Sequence, residues 1–191
     1  MKNLPSSRIA KTAMVVSAGL IMAGCAGQVV SNQGIISDNY DPKTLGYAAT
    51  RGGVFVDIQG DPFPGAEAQS NQVITESLGR AHFGPKVDFF TEKPADYRSP
   101  YRIAMVFGPA KNTNGDRLCR GDDIPLSIEP GETTVLAAFC NGEKRLTSTR
   151  AWVTQPSGPT DPAFDNLIRQ VGVQLLPPRR QPKDRGPRLR S

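Results

Sequence analysis

Apolar residues in this chain fall into short blocks separated by glycine, proline and asparagine, and the spacing inside each block predicts its conformation. Val54-Phe55-Val56-Asp57-Ile58 is β-branched and aromatic and stops at Gly60-Asp61-Pro62, which predicts a strand over 54–58. Gly84-Pro85 turns the chain into a second, short strand at 87–90. Tyr101-Arg102-Ile103-Ala104-Met105-Val106-Phe107 is a nearly continuous apolar run closed by Gly108-Pro109, and its length favours a buried strand over a helix. A three-strand antiparallel meander is expected over 124–153, from Ile124–Ile128, Thr133–Cys140 and Arg145–Val153. Its turns are Glu129-Pro130-Gly131-Glu132 and Asn141-Gly142, the latter suited to the positive φ angles of a type I′ hairpin.

Two blocks carry helical spacing. Ala66 to Leu78 places Ala66, Val73, Ile74, Leu78 and Ala81 loosely on one face, with Gly79 as the expected stop. Phe164, Leu167, Ile168, Val171 and Leu175 follow the i, i+3, i+4, i+7, i+11 rule closely. Asp161 is placed to cap that helix, Pro162 fits its first position, Asp165 complements the N-terminal dipole, and Pro177-Pro178 ends it. An α+β fold is therefore expected: a small antiparallel sheet packed by one or two helices, with Trp152 and Phe139 among the residues facing the last helix. An immunoglobulin-like β-sandwich is the alternative, and it would leave no helix covering the sheet.

The first 25 residues have a different character. Lys2, Arg8 and Lys11 precede an uncharged apolar run from Ala13 to Ala23, followed by Gly24-Cys25. Basic segment, apolar core and small residues at a cut site form a secretory signal. The run is far shorter than the about 20 apolar residues a membrane-spanning helix needs. Met22-Ala23-Gly24-Cys25 resembles the lipobox of bacterial lipoprotein precursors, although Leu is commoner than Met at the place of Met22. The resemblance implies a signal peptide over 1–24, a diacylated Cys25 thiol and, usually, an acylated new amino terminus. Ala26 rather than Asp after the cysteine implies delivery to the outer membrane of a Gram-negative bacterium, on its periplasmic face. Ordinary cleavage near Ala26, giving a soluble periplasmic protein, is the competing reading.

Charge changes the picture after that cut. The formal net charge is +5, but Arg179, Arg180, Lys183, Arg185, Arg188 and Arg190 sit together at the end beside one acid, Asp184. From Cys25 to Pro178 there are 14 Lys and Arg against 17 Asp and Glu, so the body is mildly acidic. The expected organisation is a flexible tether over 25–46, a globular domain over 47–178 and a disordered basic tail over 179–191. The tail's cations would be drawn to anionic envelope components or an acidic protein partner; nucleic acid is not expected in that compartment.

Candidate chemistry is sparse. With Cys25 set aside, Cys119 and Cys140 remain, and in an oxidising compartment an even pair implies a structural disulfide. No C-x-x-C spacing supports a redox pair. His82, the single histidine, follows the expected helix stop and suits a surface or capping role. Asn112-Thr113-Asn114-Gly115-Asp116, with Asp122 and Asp123 nearby, alternates oxygen side chains as calcium loops do. The terminal Glu at EF-hand spacing is missing, and plain turns use the same residues. No metal, cofactor or catalytic residue is nominated. The function expected from sequence is a lipid-anchored, non-catalytic interaction or assembly module. A periplasmic hydrolase with dispersed residues, or a binder of wall fragments or small ligands, is the alternative.

Overall fold

A computed structural model describes residues 28–32 and 34–178. In chain order the elements are β1 (Val30–Ser31), β2 (Ile35–Ile36), α1 (Thr44–Ala49), β3 (Val54–Gln59), α2 (Glu67–Ala81) and β4 (Phe89–Phe90). They continue with β5 (Tyr101–Phe107), α3 (Gly115–Arg120), β6 (Glu132–Asn141), β7 (Lys144–Thr154) and α4 (Pro162–Leu175). The strands form one sheet in the order β1-β7-β6-β5-β3-β4, with β2 also on β7. The fold is α+β, and helices cover the sheet, which removes the sandwich alternative.

The sheet is mixed rather than antiparallel. β5, β6 and β7 pair antiparallel, whereas β3 pairs parallel with both β4 and β5. The chain leaves the far end of β3 and α2 carries it back to the end where β3 began, so β4 runs parallel to β3. The expected strand over Ile124–Ile128 does not form; Leu126 makes only an isolated bridge to Pro109. Two causes act there. Pro125 lacks the N–H a ladder requires, and β6 is already flanked by β5 and β7. The meander is completed by β5 instead, joined to β6 by the long 108–131 connection.

The hairpin between β6 and β7 is also shifted by one residue. Asn141 pairs with Lys144, so the loop is Gly142-Glu143. Only Gly142 has positive φ, at 59°, which is the φ pattern of a type II′ turn rather than type I′. β4 is shorter than the expected 87–90, and β1 and β2 lie within the stretch expected as a tether, paired to Trp152, Ala151, Ser148 and Thr147 of β7. Tyr40, in the same stretch, is buried and donates its hydroxyl to the Pro177 carbonyl at 2.7 Å. Burial, with the Asp41 charge adding to it, pushes that hydroxyl up to about 12.

The main core lies between one face of the sheet and the pair α2–α4. Val54, Val56, Ile103, Met105, Val135, Phe139, Ala151 and Val153 meet Ile74 and Leu78 of α2 and Phe164, Leu167, Ile168, Val171 and Leu175 of α4. Phe139 is thus in the core with α4 as expected, but Trp152 is not. Strand side chains alternate; with Ala151 and Val153 on the α4 face, Trp152 points to the other side, beside Pro109 and Arg150. A smaller cluster on that second face joins Ala104, Val106, Leu136 and Ala138 to Leu118, Cys119, Ile124 and Cys140.

α2 runs past Gly79 and ends at Ala81, with His82 extended. Packing accounts for the extra turn: Leu78 and Ala81 are buried against α4 at Gly172. A Cβ on Gly172 would stand 2.5 Å from the Ala81 Cβ, so only glycine allows this crossing. That contact outweighs the about 1 kcal/mol that Gly79 costs inside a helix. Ser77 and Arg80 of α2 both bond the Asp165 carboxylate, Arg80 at 2.5 Å, and fix the register of the two helices.

α4 begins as its sequence dictates. Asp161 accepts from the Ala163 N–H at 2.8 Å and from the Ser157 N–H at 2.8 Å. These backbone N–H bonds, that from Ser157 first, hold its carboxyl below the usual range. Asp161→Ala is expected to lower the unfolding free energy by about 1 kcal/mol at neutral pH. The wild-type advantage should fade in acid, as the capping carboxylate is protonated. Urea unfolding of the two proteins at neutral and acidic pH measures both effects.

Candidate functional site

β4 pairs only with Val54 and Phe55, so Val56 to Gln59 of β3 have β5 on one side and no described strand on the other. The Val54 N–H donates to the Asp88 carbonyl at 2.9 Å. Backbone groups alternate along a strand, so those of Val56 and Ile58 point to this same side, Val56 at the end of β4 and Ile58 beyond it. The edge is flanked by a cleft on each face. One, of about 430 Å³, lies between β3 and the first half of α2, and includes Asp57, Asp61, Glu67, Ser70, Asn71 and Thr91. The other, of about 450 Å³, lies toward α3, and includes Asp57, Gln59, Asp122 and Asp123. Asp57 and Ile58 line both.

The two clefts differ electrostatically. Acids of the second are largely engaged: Arg120 bonds Asp122 at 2.9 Å and Arg117 approaches it at 3.4 Å. The Arg120 hydrogen bond, with help from Arg117, holds the Asp122 carboxyl below its usual range. The first cleft is lined by Asp61 and Glu67, with Asp57 at its rim, and by no Lys or Arg among the described residues. Arg102 reaches Asp57 from the α3 face at 3.8 Å, a loose and half-exposed contact. The site thus offers backbone donors and acceptors in strand geometry beside uncompensated negative charge. Such a surface suits binding of an extended segment better than acid–base chemistry.

The sequence candidates lie elsewhere. Cys119 and Cys140 form the expected disulfide, tying α3 to β6 with Cα atoms 5.5 Å apart. The residues weighed for calcium hold α3 in place: Asn114 Oδ1 caps the helix by accepting the Arg117 N–H at 3.2 Å, and Asp116 takes the Arg145 Nε–H at 3.0 Å. Among the described residues no group of three or more His, Cys, Asp or Glu side chains is placed to hold a metal. Cys25 and the tail cations Arg179, Arg180, Lys183, Arg185, Arg188 and Arg190 lie outside the described residues. No described helix is long and apolar enough to cross a membrane.

His82 packs on Phe89 with ring centroids 5.8 Å apart, and its Nδ1 is buried without a hydrogen-bond partner. Burial lowers its pKa. The unfolded chain therefore binds the proton more readily than the folded one, so the stability His82 contributes is complete above its ordinary pKa of 6.5 and is lost as pH falls below it. His82→Gln should flatten the loss of stability between pH 7.5 and pH 5. Urea midpoints of both proteins across that interval check the sign.

A third cleft, of about 530 Å³, lies beside Trp152, Pro109, Pro130 and Arg150. Arg150 spends its guanidinium on the carbonyls of Ala110 and Thr113, at 3.2 and 3.1 Å, and so fixes the start of the 108–131 connection. The open β3 edge is not legible in the sequence because it depends on the parallel register that sets Phe90, the last residue of β4, beside Phe55. Asp57, a lone charge within an apolar strand, was the one signal of it.

No protein-family model matches this chain, and no curated protein matches it. Solved structures similar to it include the PelC dodecamer from Paraburkholderia phytofirmans in two crystal forms, one of them a point variant. The variant is 13% identical, with a TM-score of 0.42, over 80% of this chain and 98% of that one. The other is 14% identical, with a TM-score of 0.42, over 80% of this chain and 99% of that one.

Proposed function

We propose that this protein is a lipid-anchored envelope lipoprotein whose α+β domain works as a non-catalytic interaction or assembly module on the periplasmic face of the outer membrane. The observation that carries the interaction role is the unpaired edge of β3 with its flanking clefts. The anchor is supported by the lipobox-like Met22-Ala23-Gly24-Cys25. Val30 lies five residue steps beyond Cys25, a reach of at most about 18 Å. Val30 pairs with Trp152, near the end of β7 that lies at the same end of the sheet as Gln59 of β3. On this reading the end of the sheet that holds Gln59 lies nearer the membrane than the end at Pro177 and its bond to Tyr40.

The test has two parts. Cys25→Ser should abolish fatty-acid labelling and release the protein from membranes. A photo-crosslinker at Thr91, at the mouth of the first cleft, should capture one identified envelope protein in cells, and the same partner should be captured by a chain ending at Pro178. Labelling that survives the Cys25 change refutes the anchor. Capture of no protein refutes the module, and capture lost on truncation moves recognition from the edge to the tail.

A further inference from the structure

We propose that the occupant of the open β3 edge is an extended, cation-bearing peptide segment that adds to the sheet as a further strand beside Val56–Gln59. The inference rests on the interaction-module reading and names the partner's chemistry. Hydrogen-bonding capacity comes first. The ladder from β3 to β5 uses one side of residues 55–59, and β4 covers the other side only as far as Phe55. The outward N–H and C=O of Ile58 are thus held in strand conformation by β5 and presented to an incoming chain, the arrangement that strand addition exploits.

Space comes second. Side chains of an added strand alternate between the two faces of the sheet, and here each face has a cleft of more than 400 Å³ meeting at Asp57 and Ile58. Successive residues of the segment would enter the two clefts in turn. Charge then selects the sequence. Asp61 and Glu67 line the α2-side cleft with no cation among the described residues beside them, whereas Asp122 on the α3 side is already held by Arg117 and Arg120. The preferred segment therefore carries Lys or Arg at every second position, facing α2, with uncharged residues between. Edge strands are commonly guarded by Lys, Pro or a bulge. Among the described residues the one charge within Val56–Gln59 is Asp57, which repels acidic segments and admits basic ones.

The experiment uses the mature chain with Cys25→Ser and a fluorescent heptapeptide alternating Lys and Val, read by anisotropy. Two controls replace every Lys with Glu, or methylate alternate backbone nitrogens of the Lys peptide while keeping its charge. The Lys peptide is expected to bind and to slow hydrogen exchange of the Ile58 amide. N-methylation should weaken binding about tenfold, the loss of one or two backbone hydrogen bonds, and the Glu peptide should not bind. Glu67→Gln, an exposed change that spares the core, and Asp57→Lys should each weaken binding severalfold. Equal binding of the N-methylated peptide, an unchanged Ile58 amide or no binding of the Lys peptide each overturns the proposal. Failure here, together with capture of a partner from Thr91 in cells, discards the strand chemistry and leaves the module reading standing. Peptide binding without a captured partner does the reverse.

Discussion

Phe164→Ala is expected to lower the unfolding free energy by about 3–5 kcal/mol, the range for truncating a fully buried aromatic residue. Phe164 has no exposed surface and sits in the first turn of α4. Its ring meets Phe63 edge-on at 4.9 Å between centroids and lies 6.0 Å from Phe107 of β5. Phe63 belongs to the loop between β3 and α2, so one side chain clamps that loop, α4 and the sheet. The surroundings cannot collapse to fill the space. α4 is held by its Asp161 cap, by the Ser77–Asp165–Arg80 contacts and by the close crossing at Gly172. A domain of this size has a total stability of about 5–15 kcal/mol, so the variant should unfold at a markedly lower urea concentration with an unchanged slope. A loss below about 1 kcal/mol would mean that the α4 packing described above is incorrect.

That same helix shows why part of the fold was legible. Asp161, Pro162 and the Phe164–Leu175 stripe each signal one α-helix at one register, and the structure returns Pro162–Leu175. β5 was equally plain because seven apolar-rich residues lie between turns. The misreadings share another cause. Ile124, Leu126 and Ile128 alternate as a strand would, yet Ile124 is buried in the second cluster while Leu126 and Ile128 stay exposed, because β6, their expected partner, is already paired on both sides by β5 and β7. β1 and β2 are two residues each, too short to show any period. α3 has six residues and two buried side chains beyond its glycine, and it exists because tertiary contacts hold it.

The candidate site was less legible than the fold, for a reason that follows from strand register. The strand expected over 87–90 ends at Phe90 as β4 does, and the parallel register that sets Phe90 beside Phe55 leaves the rest of β3 beyond its reach. Phe89 and Phe90 alone form β4, and the chain turns away from Thr91 toward Pro94, leaving Val56–Gln59 open. Whether Asp57 faces solvent, a partner or a cation is decided by that termination and not by any residue near Asp57 in sequence. The acids lining the first cleft come from the end of β3 and the start of α2, a pairing that only the crossover creates.

Removing the disulfide is expected to cost about 3 kcal/mol, and the loss should be concentrated at α3. Cys119 and Cys140 are 21 residues apart, and closing a loop of that size in the unfolded chain accounts for about 3 kcal/mol in the chain-entropy model. Both cysteines are fully buried in the small second cluster, which has no helix pair behind it and depends on the cross-link more than the main core does. Apart from Leu118 in that cluster, the other contacts on α3 are polar: the Asn114 cap, Asp116 with Arg145, and the Arg102 guanidinium on the Cys119 carbonyl at 2.6 Å. Each is half-exposed or local, worth about 1 kcal/mol or less, so together they hold α3 in place without replacing the bond. In the Cys119→Ala/Cys140→Ala variant, amides of residues 115–121 should exchange near the free-chain rate, while those of β5, β6 and β7 slow in proportion to the remaining global stability. Because the sulfurs are enclosed, reduction of the native protein should be slow and should speed up in Asp116→Ala, where α3 opens more often. Uniform loss of protection across the whole sheet in the double variant would show that the bond supports the domain as a unit, and that the second cluster is no independent layer.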